Sequence, residues 1–157
     1  KVRKPAVTVT YEGEKLVNCE GYTVKYAAGR KNVGRYAVTV TGEGKYTGTV
    51  KKYFRIKPKG TTIKKVKAGK KKVTVQWKPQ KAKMSKARIT GYQIKYSTNK
   101  NMTKAKYKKV KGYKKTSYTI KKLKSNKKCY VQIRTYKKIG KQIYYSNWTK
   151  VKKVRVR

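Results

Sequence analysis

The stretch GKKKVTVQWKP, residues 69–79, decides how this chain is read. Val73, Val75 and Trp77 alternate with Thr74 and Gln76. That is the period of a half-buried strand, because successive side chains on a strand point to opposite faces. Lys72, Thr74, Gln76 and Lys78 then face water. A lysine stem can lie along apolar surface while its ammonium stays solvated, so the charge around this strand need not enter a core.

The same alternation recurs in both directions, at roughly 8–12-residue spacing with Gly, Asn, Ser or Lys clusters between runs, which is the pattern of a sandwich or barrel. Upstream lie AVTVTY (6–11), YTVKY (22–26), GRYAVTVTG (34–42) and TGTVKKYFRI, which ends at Ile56. Pro, Gly and a lost period meet in KPKG (57–60), which marks a domain boundary. Downstream lie TTIKKVKA, KKVTVQW, ITGYQIKYST, AKYKKV, TSYTIKKL, KKCYVQIRTYKK and QIYYSNWTKVKKVRV, the number of strands expected of an immunoglobulin-like sandwich. No helical period of useful length appears. The expected fold class is all-β, with two tandem antiparallel β-sandwich (immunoglobulin-like) domains at residues 1–58 and 59–157. The first is expected to be incomplete at its N-terminus. Parity also sorts side chains. Tyr92, Ile94 and Tyr96 point inward, and Cys129, Val131, Ile133 and Thr135 share one face opposite Tyr130, Gln132 and Arg134.

Charge is extreme and uneven. The 157 residues carry 48 Lys plus Arg, four acids and no His, for a net charge of +44. Residues 1–58 hold 13 of the bases and all four acids (Glu12, Glu14, Glu20, Glu43), a balance of +9. Residues 59–157 hold the other 35 bases and no acid. Disordered basic tails are poor in large aromatics, whereas this chain has 15 Tyr and two Trp. A folded protein with a lysine-saturated surface is therefore expected. No run approaches the ~18 apolar residues of a membrane span, so no membrane insertion is expected. No signal peptide is visible, and the chain reads as a piece of something longer.

Catalytic and metal chemistry find no residues to use. Without His, and with no carboxylate after residue 58, the usual side-chain general bases are missing. Metal sites need clustered His, Cys or carboxylates, and four scattered Glu with two distant Cys provide none. Cys129 sits on an inward strand position and reads as a core thiol. Cys19 lies in a turn-like stretch and reads as an exposed thiol, not bridged to Cys129. GEGKYTG lacks the spacing of a phosphate loop and reads as a hairpin. A Lys–Asn isopeptide cross-link would need a nearby buried acid, for which Glu20 beside Asn18 is the sole basis. No enzyme activity, cofactor, metal or small-molecule substrate is expected.

Residues 61–157 resemble a fibronectin type III domain. VTVQWKP (73–79) is similar to its second strand with the core tryptophan, and ITGYQIKYST (89–98) to its third. TSYTIKKL (116–123) resembles the fifth strand and CYVQIRTY (129–136) the sixth. The closing YYSNWTKVKKV (144–154) resembles the lysine-rich version found in large surface and secreted proteins of Gram-positive gut anaerobes. The chain departs from the family at Cys129, where a tyrosine is usual. Residues 5–57 resemble a bacterial immunoglobulin-like (MBG-type) repeat, carried by YTVKY (22–26) and NVGRYAVTVTGEGKYTGT (32–49).

The resemblance implies an extracellular, secreted or cell-wall-associated segment that acts as a spacer or attachment module. The charge adds a partner class. A field of +35 on one small domain concentrates anions around it, so anionic cell-wall or host polymers such as teichoic acid, anionic glycans or extracellular DNA are expected partners. The expected carriers are Lys70, Lys71, Lys72, Lys108, Lys109, Lys114, Lys115, Lys121, Lys122, Lys127, Lys128, Lys150, Lys152 and Lys153. Two rival readings remain. An adhesin module that binds a host glycoprotein or immunoglobulin would need an aromatic patch with few lysines, for which Tyr11, Tyr26, Tyr107, Tyr113, Tyr136, Tyr144, Tyr145 and Trp148 are the candidates. A nucleic-acid binder would interleave bases with aromatics.

Overall fold

A computed structural model describes residues 1–17, 20–83 and 88–157. Cys19 and Asn18 therefore fall outside the described residues, and so do the expectations placed on them. The chain divides into two compact units, Lys1–Ile56 and Lys57–Arg157. Among the described residues every regular element is a strand.

In the first unit, β3 (Tyr22–Tyr26), β4 (Gly34–Gly42) and β5 (Thr49–Ile56) form an antiparallel sheet in the order β3-β4-β5. β1 (Thr10–Tyr11) and β2 (Glu14–Lys15) form a short ribbon. Tyr22, Val33, Val38 and Ile56 are buried. GEGKYTG is the hairpin between β4 and β5, as its glycines indicate, and Tyr46 within it stacks edge-on against Tyr11 at 5.2 Å. The strand expected over 6–11 shrinks to Thr10–Tyr11. The Leu16 N–H bonds Val9 O at 2.9 Å, and among the described residues the ribbon has no further backbone bond beyond that point. Alternation fixes which side chains face inward, but a strand also needs a partner for its amides.

The second unit is a two-sheet sandwich. One sheet has three strands in the order β10-β7-β6, with β6 spanning Ile63–Gly69, β7 Lys72–Trp77 and β10 Ser117–Ile120. The other has the order β12-β11-β8-β9, with β8 at Gly91–Ser97, β9 at Lys106–Lys111, β11 at Lys128–Ile139 and β12 at Gln142–Tyr145. β13 (Lys152–Arg155) extends this sheet by pairing with β11. All pairings are antiparallel.

The core lies where parity places it. Val73, Val75, Tyr92, Ile94, Val131, Ile133 and Thr135 have no exposed surface, and Trp77 and Cys129 have 1%. Burying each large apolar side chain contributes on the order of 2 kcal/mol relative to leaving it in water. Trp77 packs against Tyr92 with ring centroids 5.1 Å apart. The Tyr92 hydroxyl accepts from the Gln80 N–H at 2.7 Å and donates to Tyr113 O at 2.6 Å. It thereby ties two connections to the core. The Trp77 Nε1 is buried, with no hydrogen-bond acceptor in place among the described residues.

The last run, read from sequence as one strand, is two. Between β12 and β13 the chain leaves the ladder over residues 146–151, and side-chain hydroxyls take the place of carbonyl acceptors. The Thr135 N–H donates to Ser146 Oγ at 3.0 Å, and the Ile133 N–H donates to Thr149 Oγ1 at 3.1 Å. Ser146 N–H and Thr149 N–H return bonds to Thr135 O and Ile133 O. The two amides stay satisfied, so Asn147 and Trp148 are free to swing out over the sheet.

Candidate polyanion-binding surface

All fourteen lysines expected to meet a polyanion are exposed. The fold does not gather them into one patch. Lys70 and Lys71 occupy the β6–β7 turn and Lys72 opens β7, while Lys121, Lys122, Lys127 and Lys128 occupy the β10–β11 connection and the start of β11. Backbone bonds bring these segments to one end of the sandwich. The Lys71 N–H donates to Arg157 O at 2.6 Å, and the Leu123 N–H donates to Lys71 O at 3.0 Å. The Val156 N–H donates to Lys127 O at 3.0 Å. Lys152 and Lys153 pair with Val131 and Tyr130 across β13–β11, toward the same end, and Lys150 precedes them. Lys108 and Lys109 lie on β9, an edge strand. Lys114 and Lys115 lie at the opposite end, where the Lys115 N–H bonds Gly112 O. There Pro79, Lys81, Arg88, Tyr113 and Lys114 line an open cleft of about 510 Å³ that contains no carboxylate and no thiol.

The outer face of the five-stranded sheet carries an arrangement that runs of lysine do not reveal. Trp148 and Tyr145 enclose the Arg134 guanidinium, whose Cζ lies 4.2 Å and 3.7 Å from their ring centroids. The Arg134 Nε–H donates to Gln93 Oε1 at 2.8 Å, which fixes the plane of the fork. Burial lowers the Arg134 pKa, while Tyr145 and then Tyr107 act in the opposite direction. Lys95 Nζ lies 5.9 Å from the Trp148 ring, and Tyr107 packs 6.2 Å from it. Lys109 Nζ lies 5.9 Å from the Tyr136 ring, which in turn sits 6.3 Å from Tyr145. Outward parity on β8 and β11 identifies Lys95 and Arg134 as surface residues. Their stacking becomes visible only once the break at residues 146–149 delivers Trp148.

The aromatic candidates therefore divide. Tyr107 is 55% exposed and Tyr11 53%. Tyr136 is buried, and Tyr26 donates its hydroxyl to Pro5 O at 2.6 Å. Tyr145 and Trp148 have faces covered by Arg134. No patch of aromatics with few lysines forms among the described residues of the second unit. Burial pushes the Cys129 thiol up to about 11, which leaves it protonated and inert near neutral pH. No group of His, Cys, Asp or Glu among the described residues could hold a metal ion, and no helix is long and apolar enough to cross a membrane.

A sandwich of three plus five strands, with the final strand broken and returned to the same neighbour, defines an immunoglobulin-like module. Residues 57–152 match the fibronectin type III domain model, and the chain belongs to that family. Domains of this family are typically non-catalytic and occur commonly in extracellular proteins. No curated protein matches the chain. Among solved structures it is similar to the chicken CNTN1 FN1-FN3 domains, at 17% identity and a TM-score of 0.51 over 80% of this chain and 42% of that one. The chain thus spans less than half of that relative, and the likeness is one of fold. A structure titled "Myokine structure" overlaps 64% of this chain and 98% of its own at 13% identity, with a TM-score of 0.43.

Proposed function

We propose that the chain is a non-enzymatic extracellular segment of a bacterial surface or secreted protein, and that its fibronectin type III domain follows an MBG-type repeat. It serves as a spacer and attachment module that associates with anionic polymers through its lysine surface. One observation carries this reading: residues 59–157 expose all fourteen lysines and contain no carboxylate side chain with which any of them could pair. An ammonium with no internal partner is neutralised by ions from solution, and a polyanion releases those ions when it binds. A domain that meets its target through charge on a rigid, non-catalytic scaffold needs no pocket.

The test is the salt dependence of binding to an anionic polymer. If about 6 to 10 anionic groups are neutralised, affinity falls roughly 10³- to 10⁵-fold between 50 and 200 mM salt. Affinity that holds constant over that range overturns the reading and favours a specific, largely uncharged interface.

A further inference from the structure

Left-handed backbone is distributed unevenly over the second unit. Among its described residues, positive φ occurs at Gly112 (96°) and Gly140 (55°), and at Lys71 (51°), Met102 (59°), Lys104 (48°), Lys122 (58°) and Asn126 (59°). The two glycines share one end. Gly112 follows β9 and donates to Thr90 O, and Gly140 sits in the β11–β12 hairpin. All five non-glycine residues lie at the other end, in the β6–β7 turn and the β8–β9 and β10–β11 connections. Strand register fixes this: Gly69 pairs with Lys72, Ile120 with Val73, and Ser97 with Tyr130.

Glycine enters the left-handed region without steric cost, and asparagine tolerates it best among residues with a Cβ. The glycine end follows that preference. At the other end three of the five positions are lysine, a residue with nothing to recommend it for this backbone. Residues held in sparsely populated backbone regions concentrate at functional sites. Here the observed outliers coincide with the end where three lysine-bearing segments meet.

We propose that this end of the domain is the seat of the polymer, and that it takes a flexible, base-free chain carrying repeated phosphate groups. This rests on the polyanion reading above and places it at one location. The connections themselves, residues 70–71, 98–105 and 121–127, hold eight lysines and no arginine, acid or aromatic residue. Arg155, whose fork is turned to Asn126 O at 3.4 Å, and Arg157 stand beside them at the end of the last strand. The connections offer bases no ring to stack on, and the exposed ring of Tyr107 on β9 packs against Trp148 on the outer face of the sheet. Lysine pairs with phosphate as a compact point charge, whereas planar carboxylates are matched best by the arginine fork. Lys100, Lys104 and Lys124 join the site, although they stand outside the dense lysine runs. Lys114 and Lys115 leave it.

The experiment uses the whole chain and compares two triple variants of equal charge. One is Lys71→Gly, Lys104→Gly and Lys122→Gly. The other, at the glycine end, is Lys111→Gln, Lys114→Gln and Lys115→Gln. The probes are medium-chain inorganic polyphosphate, oligo(dT) and dextran sulfate at one fixed salt concentration. The expected result is that the glycine triple loses at least about tenfold in polyphosphate affinity, with a salt slope shallower by about 2 to 3, and shows no fall in melting temperature. The glutamine triple should lose much less. Equal losses in the two triples would overturn the location while leaving the polyanion reading intact, and a fall in melting temperature of the glycine triple would overturn the backbone argument. Oligo(dT) or dextran sulfate bound as tightly as polyphosphate would overturn the ligand class. If the parent binds none of the three, the polyanion reading itself fails.

Discussion

The two hydroxyls that interrupt the last strand give a sharp test of the fold. Thr149→Val keeps the shape of the side chain and removes the acceptor 3.1 Å from the Ile133 N–H. Ser146→Ala removes the acceptor 3.0 Å from the Thr135 N–H. Ile133 and Thr135 have no exposed surface, so water cannot easily replace the lost partner. A buried donor left unsatisfied costs about 1 to 3 kcal/mol. The two sites are near neighbours on β11, and their combined loss need not be additive. A domain of ~100 residues shifts its melting temperature by roughly 4 to 8 °C per kcal/mol, so each variant should melt well below the parent. The assay is intrinsic fluorescence, because both tryptophans, Trp77 and Trp148, lie in the second unit and report on it alone. Amide exchange should accelerate at Ile133 and Thr135 specifically. If both variants stay within about 0.5 kcal/mol of the parent, the range of ordinary surface changes, the hydroxyls are not standing in for ladder carbonyls and the account of how Trp148 is released is wrong.

Three further outcomes follow from the core and the charge. Trp77→Ala should cost about 3 to 5 kcal/mol, and Trp77→Phe much less, since it leaves a smaller cavity and removes a buried N–H that has no partner; denaturant unfolding checks both. Burial pushes the Cys129 thiol up from the ordinary thiol range to about 11, so its contribution to the fold is complete below the ordinary thiol value and is lost as pH rises toward about 11. Parent and Cys129→Ala should therefore differ in pH dependence between the ordinary thiol pKa of about 8.5 and about 11, and native Cys129 should resist thiol reagents until the domain unfolds. Raising NaCl should raise the melting temperature of the second unit, whose residues 59–157 carry 35 bases and no acid, and change the first unit much less; indifference to salt would remove the electrostatic basis of the proposed function.

Parity in the sequence reached the core almost residue by residue. Val73, Val75 and Trp77, and then Cys129 to Thr135 at alternate positions, all lie at or below 1% exposure, because a two-residue period leaves a strand no other way to hide apolar groups. Three features lay beyond it. QIYYSNWTKVKKVRV alternates well enough to read as one strand, and nothing in the string says that Ser146 and Thr149 will accept bonds that carbonyls usually take. Tyr136 points away from the core by parity yet is buried, because Tyr145 covers the outer face of the sheet there. The lysine end was hidden for a different reason. A left-handed position is normally announced by Gly or Asn, and at Lys71, Lys104 and Lys122 the residue that would announce it is absent.

The absence of acids leaves the domain to find counter-charge elsewhere. Within residues 59–157, the described cation–π contacts engage Arg88, Lys95, Lys108, Lys109 and Arg134, five of 35 bases. Exposed contacts of this kind contribute about 0.5 to 1 kcal/mol each. Those of Lys95, Lys109 and Arg134 gather on the outer face of the five-stranded sheet, and none of them neutralises the remaining charges, many of which crowd connections spaced more closely than the ~10 Å over which 0.1 M salt screens them. The rest of the counter-charge has to come from solution. A ligand that binds the folded form stabilises it by mass action, and a polymer that presents many anions together does so at lower concentration than free ions can. Under the proposed function, stability and attachment are one property of the lysine surface: a polymer that held the domain in place would also relieve the repulsion against which it folds.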